Sequence, residues 1–301
     1  MIFYSEIYSE LTLPDRHRFP IQKYRDLYNA LQSTELSNFI VKANTLIDTT
    51  LIQLCHDKDY VDAFIDGKLS PSDVKKMGFP WSKVLVNRTL ISLNNTLLAA
   101  KHALRHGIGV NLSGGYHHAQ KNLGAGFCIF NDFAVVAHTL IHLGLADTVL
   151  IFDCDVHHGD GTATLCQENQ NIITCSIHCE QNFPRIKPNS DYDFPLPVGT
   201  QDSTYIETVQ QALELCFRLH KPDIVLYNAG ADIYCKDELG HFDISLAGVR
   251  TRDSKVLNYC LTKKTPVVAT LGGGYQRNSH QLTQAHLQLF LALLDNLKLM
   301  V

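Results

Sequence analysis

The stretch Ile151–Gly161, IFDCDVHHGDG, sets three aspartates and two histidines between positions 153 and 160, directly behind an apolar run. Carboxylates are costly to bury, so a cluster of them at the end of a core strand needs a compensating partner. A metal ion is one such partner and a helix terminus is another. Asp155 and His157 stand two apart, so an extended or tightly turned backbone points both side chains the same way. Together with Asp232 of NAGAD they form a set of two carboxylates and one imidazole. That set suits Zn²⁺ with a position left for water, and Fe²⁺ or Mn²⁺ also fits. The competing reading leaves Asp155 capping a helix that begins near Gly159, with His157 incidental.

Other residues gain meaning beside this cluster. Adjacent histidines such as His117–His118 in SGGYHHA are usually exposed loop residues. The pairs His102/His106 and His138/His142 have the i,i+4 spacing of helical ligands, yet no carboxylate lies near them in the chain, and they read as structural or surface groups. His117–His118 differ because Asp153 and Asp160 remain to fix their tautomers and raise their basicity. Tyr275 follows three glycines, which present its phenol as a donor for a developing oxyanion. Phe127 in GAGFC and Phe183 in NFPR are loop aromatics of the kind that ordinarily pack, but two of them can line a narrow apolar channel.

The elements that must position these groups are legible from position 108 onward. Apolar runs at 108–112, 148–153, 172–177, 223–230 and 266–273 alternate with helical patterns at 131–143, 204–220, 246–263 and 279–299. Continuous apolar strands separated by helices predict an α/β fold, a mostly parallel sheet flanked by helices on both faces. Every chemically capable cluster follows one of these runs, where ligands bind in open parallel sheets. The first hundred residues read as mostly helical, and the absence of repeats or linkers predicts a single domain over 1–301.

Composition narrows the function. Hydrophobic residues make up 45% and charged residues 19%, with a net charge of -4, so no basic patch points to direct nucleic-acid binding. Nine cysteines without a CxxC read as reduced thiols of a cytoplasmic protein. The N-terminus shows no signal peptide, and no apolar run approaches the ~20 residues of a membrane segment.

The motifs GGYHHA…GAGFCIFND, DCDVHHGDG, NAGAD and GGGY, in this order, resemble the zinc-dependent histone deacetylase family, which includes acetylpolyamine amidohydrolases and has the arginase–deacetylase fold. The resemblance runs from His17 to the final helix. HRFPIQKY, FPWS and YNAGAD look most like the class IV branch and its bacterial relatives. The resemblance implies Asp155, His157 and Asp232 as ligands of Zn²⁺, with Fe²⁺ an alternative. It implies His118 as general base and then acid, His117 as its electrostatic partner, and Asp160 and Asp153 as orienters of the two imidazoles. Tyr275 would bind the acyl oxygen. Phe127 and Phe183 would flank an acyl-lysine stem, the Gly126 carbonyl would accept the substrate N–H, and Leu239 would stand at the rim. A structural K⁺ would sit by Asp153, Asp155, His157, Ser176 and Ile177. Tyr116 departs from the residues usual before the double histidine.

The implied activity is removal of acetyl or longer fatty-acyl groups from lysine in a protein or peptide. Two carboxylate ligands neutralise a divalent ion, which makes its water less acidic than the ~7 seen with three histidines. That gives a separate base, His118 with Asp160, a necessary part. The alternatives are an acetylpolyamine amidohydrolase, an arginase-like dimetal enzyme, and an inactive acyl-lysine-binding scaffold. Leu239 stands in CKDELG where an acidic gatekeeper would favour polyamines. DVHHGDG has the wrong spacing for two metals, and every expected catalytic position is filled, which argues against a scaffold.

Overall fold

The computed structural model of the chain describes residues 1–298, so the last position of the predicted 279–299 helix lies outside them. Its strands are β1 (Ile2–Tyr4), β2 (Ile40–Lys42), β3 (Ile108–Asn111), β4 (Val149–Asp153), β5 (Ile172–Cys179), β6 (Tyr192–Leu196), β7 (Ile224–Asn228) and β8 (Val267–Thr270). They form one parallel sheet in the order β2-β1-β3-β8-β7-β4-β5-β6. The helices flanking it are α1 (Lys23–Gln32), α2 (Thr49–Ile52), α3 (Lys58–Asp66), α4 (Pro71–Met77), α5 (Lys83–His106), α6 (Asp132–His142), α7 (Asp160–Cys166), α8 (Asp202–His220), α9 (Leu246–Thr262) and α10 (Ser279–Lys298). None of the described helices is long and apolar enough to cross a membrane.

Strands β4, β5, β7 and β8 are buried at every position, which is why they stand out as unbroken apolar runs. The sequence missed β1, β2 and β6. The first two are three residues long, and β2 is only half covered at the sheet edge. Strand β6 is the other edge and carries Pro195, which an edge strand tolerates and a central one does not.

The register sets the site. Asn111, Thr270, Asn228, Asp153, Ser176 and Asp193 lie side by side across β3, β8, β7, β4, β5 and β6. A polar row thus closes an apolar sheet, and the chain leaves β3, β8, β7 and β4 for the active loops within a residue or two of it.

Helix α5 lies so close under β3 that a Cβ on Gly109 would stand 2.1 Å from the Ala99 carbonyl oxygen. Backbone cannot yield as a side chain can. Gly109→Ala should therefore cost about 1–3 kcal/mol, as other overpacked cores do, seen as a lower thermal midpoint. An unchanged midpoint would mean that α5 slides freely on the sheet.

Candidate active site

The double-histidine turn is fixed from below by Asp132, the first residue of α6. Its carboxylate accepts the N–H groups of Gly115 and Tyr116 at 3.1 and 2.8 Å. Tyr116 turns inward, its hydroxyl sharing hydrogen bonds with Ser92 and Ser113 at 3.0 and 2.7 Å, away from the two imidazoles. His117 Nδ1 donates to Asp153 Oδ2 and His118 Nδ1 to Asp160 Oδ1, each at 2.6 Å, with ring centroids 4.1 Å apart. The two rings are electrostatically distinct. Burial disfavours charge on His117, but Asp153 and Asp155 outweigh it and raise its pKa to about 9. Burial and the neighbouring charge of His117 lower His118 to about 4, against the pull of Asp160. His118 is the neutral imidazole of the pair.

Asp155, His157 and Asp232 converge from the β4 and β7 loops, with one donor atom of each within 4.8 Å of the others. Asp155 does not cap α7, whose N-cap is Gly159. Its Oδ1 accepts the His157 N–H at 3.0 Å, and Asp232 Oδ1 accepts the Val156 N–H at 3.0 Å, so main chain aims both carboxylates inward. His157 Nδ1 lies 2.9 Å from Asp155 and 3.1 Å from Asp232. Burial and the charge of Asp155 push Asp232 up, whereas His117 and His157 overcome burial and hold Asp155 well below the usual carboxylate range. Two buried carboxylates around one imidazole carry more negative charge than that ring balances, which is the condition a divalent cation meets. The donor set fits the metal expected from the sequence. Main chain closes in behind it: a Cβ on Gly273 would stand 1.9 Å from Asp232 Oδ2, and one on Gly230 2.6 Å from Asp155 Oδ2.

Gly126, with φ of +55°, lies against the His118 ring, and Phe127 takes a left-handed φ of +66°, unusual for a bulky residue. Phe127 faces Tyr275 at 5.9 Å between centroids, and Phe183 stands edge-on to His118 at 4.9 Å. Phe183 is 47% exposed, so it forms the outer rim, while Phe127 and Tyr275 line the inner pocket with His118 and Gly273. Leu239 is half-buried in a rim turn, and its carbonyl accepts from Asn182 Nδ2 at 2.9 Å, which ties that turn to the Phe183 loop. The pairs His102/His106 and His138/His142 join no metal-like cluster among the described residues.

Three positioning residues escaped the sequence reading. Asp237 accepts the Tyr275 N–H at 2.7 Å. Buried Lys23 donates to the Gly272 carbonyl at 3.1 Å beneath the rings of Phe19, Tyr24 and Tyr275; burial lowers its pKa to about 8. Fully buried Arg252 donates to the carbonyls of Cys154, Gly230 and Ala229 at 3.2, 2.7 and 3.2 Å, clasping the two loops that carry Asp155 and Asp232. A lone Arg in a helix gives no local signal of such a role.

Residues 17–291 match the family described as the histone deacetylase domain. An uncharacterized protein of Picosynechococcus is 41% identical over 91% of this chain and 92% of its own length. The acetoin utilization protein AcuC of Staphylococcus aureus is 28% identical over 89% of this chain and 77% of its own. Histone deacetylase 2 of Arabidopsis thaliana is 33% identical over 62% of this chain and 49% of its own. The crystal structure of a histone deacetylase homolog complexed with SAHA superposes with a TM-score of 0.80 at 21% identity, covering 97% of this chain and 83% of that one.

Proposed function

Because this chain belongs to the histone deacetylase family and is thus a deacetylase-type amidohydrolase, we propose that it is a metal-dependent lysine deacylase, one catalytic domain over 1–301, acting on acylated protein or peptide lysines. The observation that carries this reading is the meeting of the Asp155/His157/Asp232 triad with the neutral His118–Asp160 pair and Tyr275 in one pocket.

Asp155, His157 and Asp232 would hold the divalent ion, Zn²⁺ or Fe²⁺, which supplies carbonyl polarisation and water activation. Neutral His118 accepts the proton of the attacking water through Nε2, while Asp160 stabilises the charge that develops on the ring. The same proton then serves the departing amine. His117, hydrogen-bonded to Asp153, places a positive charge beside the developing anion. The Tyr275 phenol donates to the acyl oxygen. Phe127 and Phe183 flank the acyl-lysine stem, Leu239 stands at the rim, and the Gly126 carbonyl accepts the substrate N–H. The register neighbours Asp153 and Ser176, with Asp155, His157 and Ile177, are a reasonable seat for K⁺. Nine free thiols, eight of them buried, support a reducing, cytoplasmic setting.

The test is turnover of matched peptides bearing acetyl-, octanoyl- and myristoyl-lysine, with N-acetylspermidine alongside and Asp155→Ala as control. Metal-dependent release from a peptide is the expected result, and the preferred acyl length follows from the ranking. Release from N-acetylspermidine alone would make the substrate a polyamine. No release from any of them, with metal bound, would turn the reading to an acyl-lysine-binding scaffold. Arg252→Met should weaken metal affinity about 10–100-fold, as loss of other supporting contacts does. Unchanged affinity in a competition titration with a chelating dye would show that the clasp is dispensable.

A further inference from the structure

The metal loop continues past His157 into His158, whose ring goes to other partners. His158 is fully buried, with Nε2 at 3.1 Å from Asp193 Oδ1 and 3.4 Å from Ser190 Oγ. His178 on β5 meets it edge to face, centroids 4.6 Å apart at 82°, with its own Nδ1 3.0 Å from Ser176 Oγ. One donor atom from each of His158, His178 and Asp193 lies within 4.8 Å of the others, and this group shares no residue with the Asp155 triad. From this convergence we infer a second transition-metal site, formed by His158, His178 and Asp193, with Ser190 Oγ placed to add an oxygen.

Hydrogen bonding alone accounts for the cluster poorly. The two imidazoles meet edge to face with no bond between them, and His158, which reaches Asp193 through Nε2, keeps a buried Nδ1 without a partner among the described residues. Asp193 has 26% of its side chain exposed, which gives an ion a way in from solvent. Two nitrogens and one carboxylate match Zn²⁺ or Co²⁺ better than Mg²⁺ or Ca²⁺. Tetrahedral zinc sets neighbouring ligand atoms about 3.4 Å apart at its usual bond lengths, so small side-chain movements close the set. An ion there fastens β5 and the edge strand β6 to the loop carrying Asp155 and His157.

The experiment is zinc content by elemental analysis, on untagged protein equilibrated with excess Zn²⁺ and separated from free ion, with Co²⁺ absorption as a second reading. Wild type should carry two ions per chain. Asp193→Asn, at the surface and with its fold checked by circular dichroism, should carry one, and so should His178→Gln. Asp232→Asn, which disables the triad, should also carry one, lost when Asp193→Asn is added. An ion count that Asp193→Asn leaves unchanged, whether one or two, overturns the site. A single wild-type ion that survives Asp232→Asn but not Asp193→Asn upholds this site and instead removes the triad as a metal centre.

Discussion

Replacing Tyr275 with phenylalanine should cut kcat on the best acyl-lysine peptide by about 10²–10³-fold, the usual cost of one oxyanion donor. In the proposed mechanism this side chain is the donor. Burial, with the nearby Asp155 and Asp232, pushes its phenol well above the ordinary tyrosine range, so the proton stays in place. Asp237 fixes its main chain, and Phe19, Phe127 and Lys23 surround its ring. Phenylalanine keeps all of those contacts and loses only the O–H. Fold and metal content should be unchanged, which isolates the chemistry. Turnover within a few-fold of wild type would take Tyr275 out of the mechanism.

Asp232→Ala should abolish activity through a different route, by removing metal from the triad. The residue is fully buried, and its carboxylate is half of the negative charge that a cation would balance. Asp155 and His157 alone can satisfy each other as an ion pair at 2.9 Å, which leaves little demand for a divalent ion. Elemental analysis should show one ion fewer per chain than wild type, with activity at the level of a chelator-treated control. Retained activity with unchanged metal content would refute Asp232 as a ligand.

How much of this was legible follows from how far apart the partners lie in the chain. Asp155 and His157 announce themselves by spacing, and the polar clusters could be assigned to one rim because each ends an apolar strand. Which carboxylate serves which histidine was implied by the family resemblance and not by spacing, since the partners lie 36 and 42 residues apart. Arg252, Lys23 and Asp237 act through main-chain carbonyls and amides 22 to 249 residues away, and no pattern in a helix or turn reveals such a bond. The three missed strands are short or lie at an edge, where the apolar run that identifies a buried strand is absent. The pairing of His158 with His178 and Asp193 escaped for the same reason, since it depends on which strands are neighbours.

Behind Asp155 and Asp232 the wall is main chain: Gly230 and Gly273 press on the two carboxylates too closely for any side chain to be added. That part of the wall offers selection nothing to vary. Under the proposed lysine deacylation, a change of acyl preference is open at Phe183, Leu239 and the loops that carry them, where a change of bulk leaves the proposed ligands undisturbed. Two members of the family can therefore share every residue of the hydrolytic core and still differ in what they cut, and substrate assignments are better sought by comparing rims than by matching motifs.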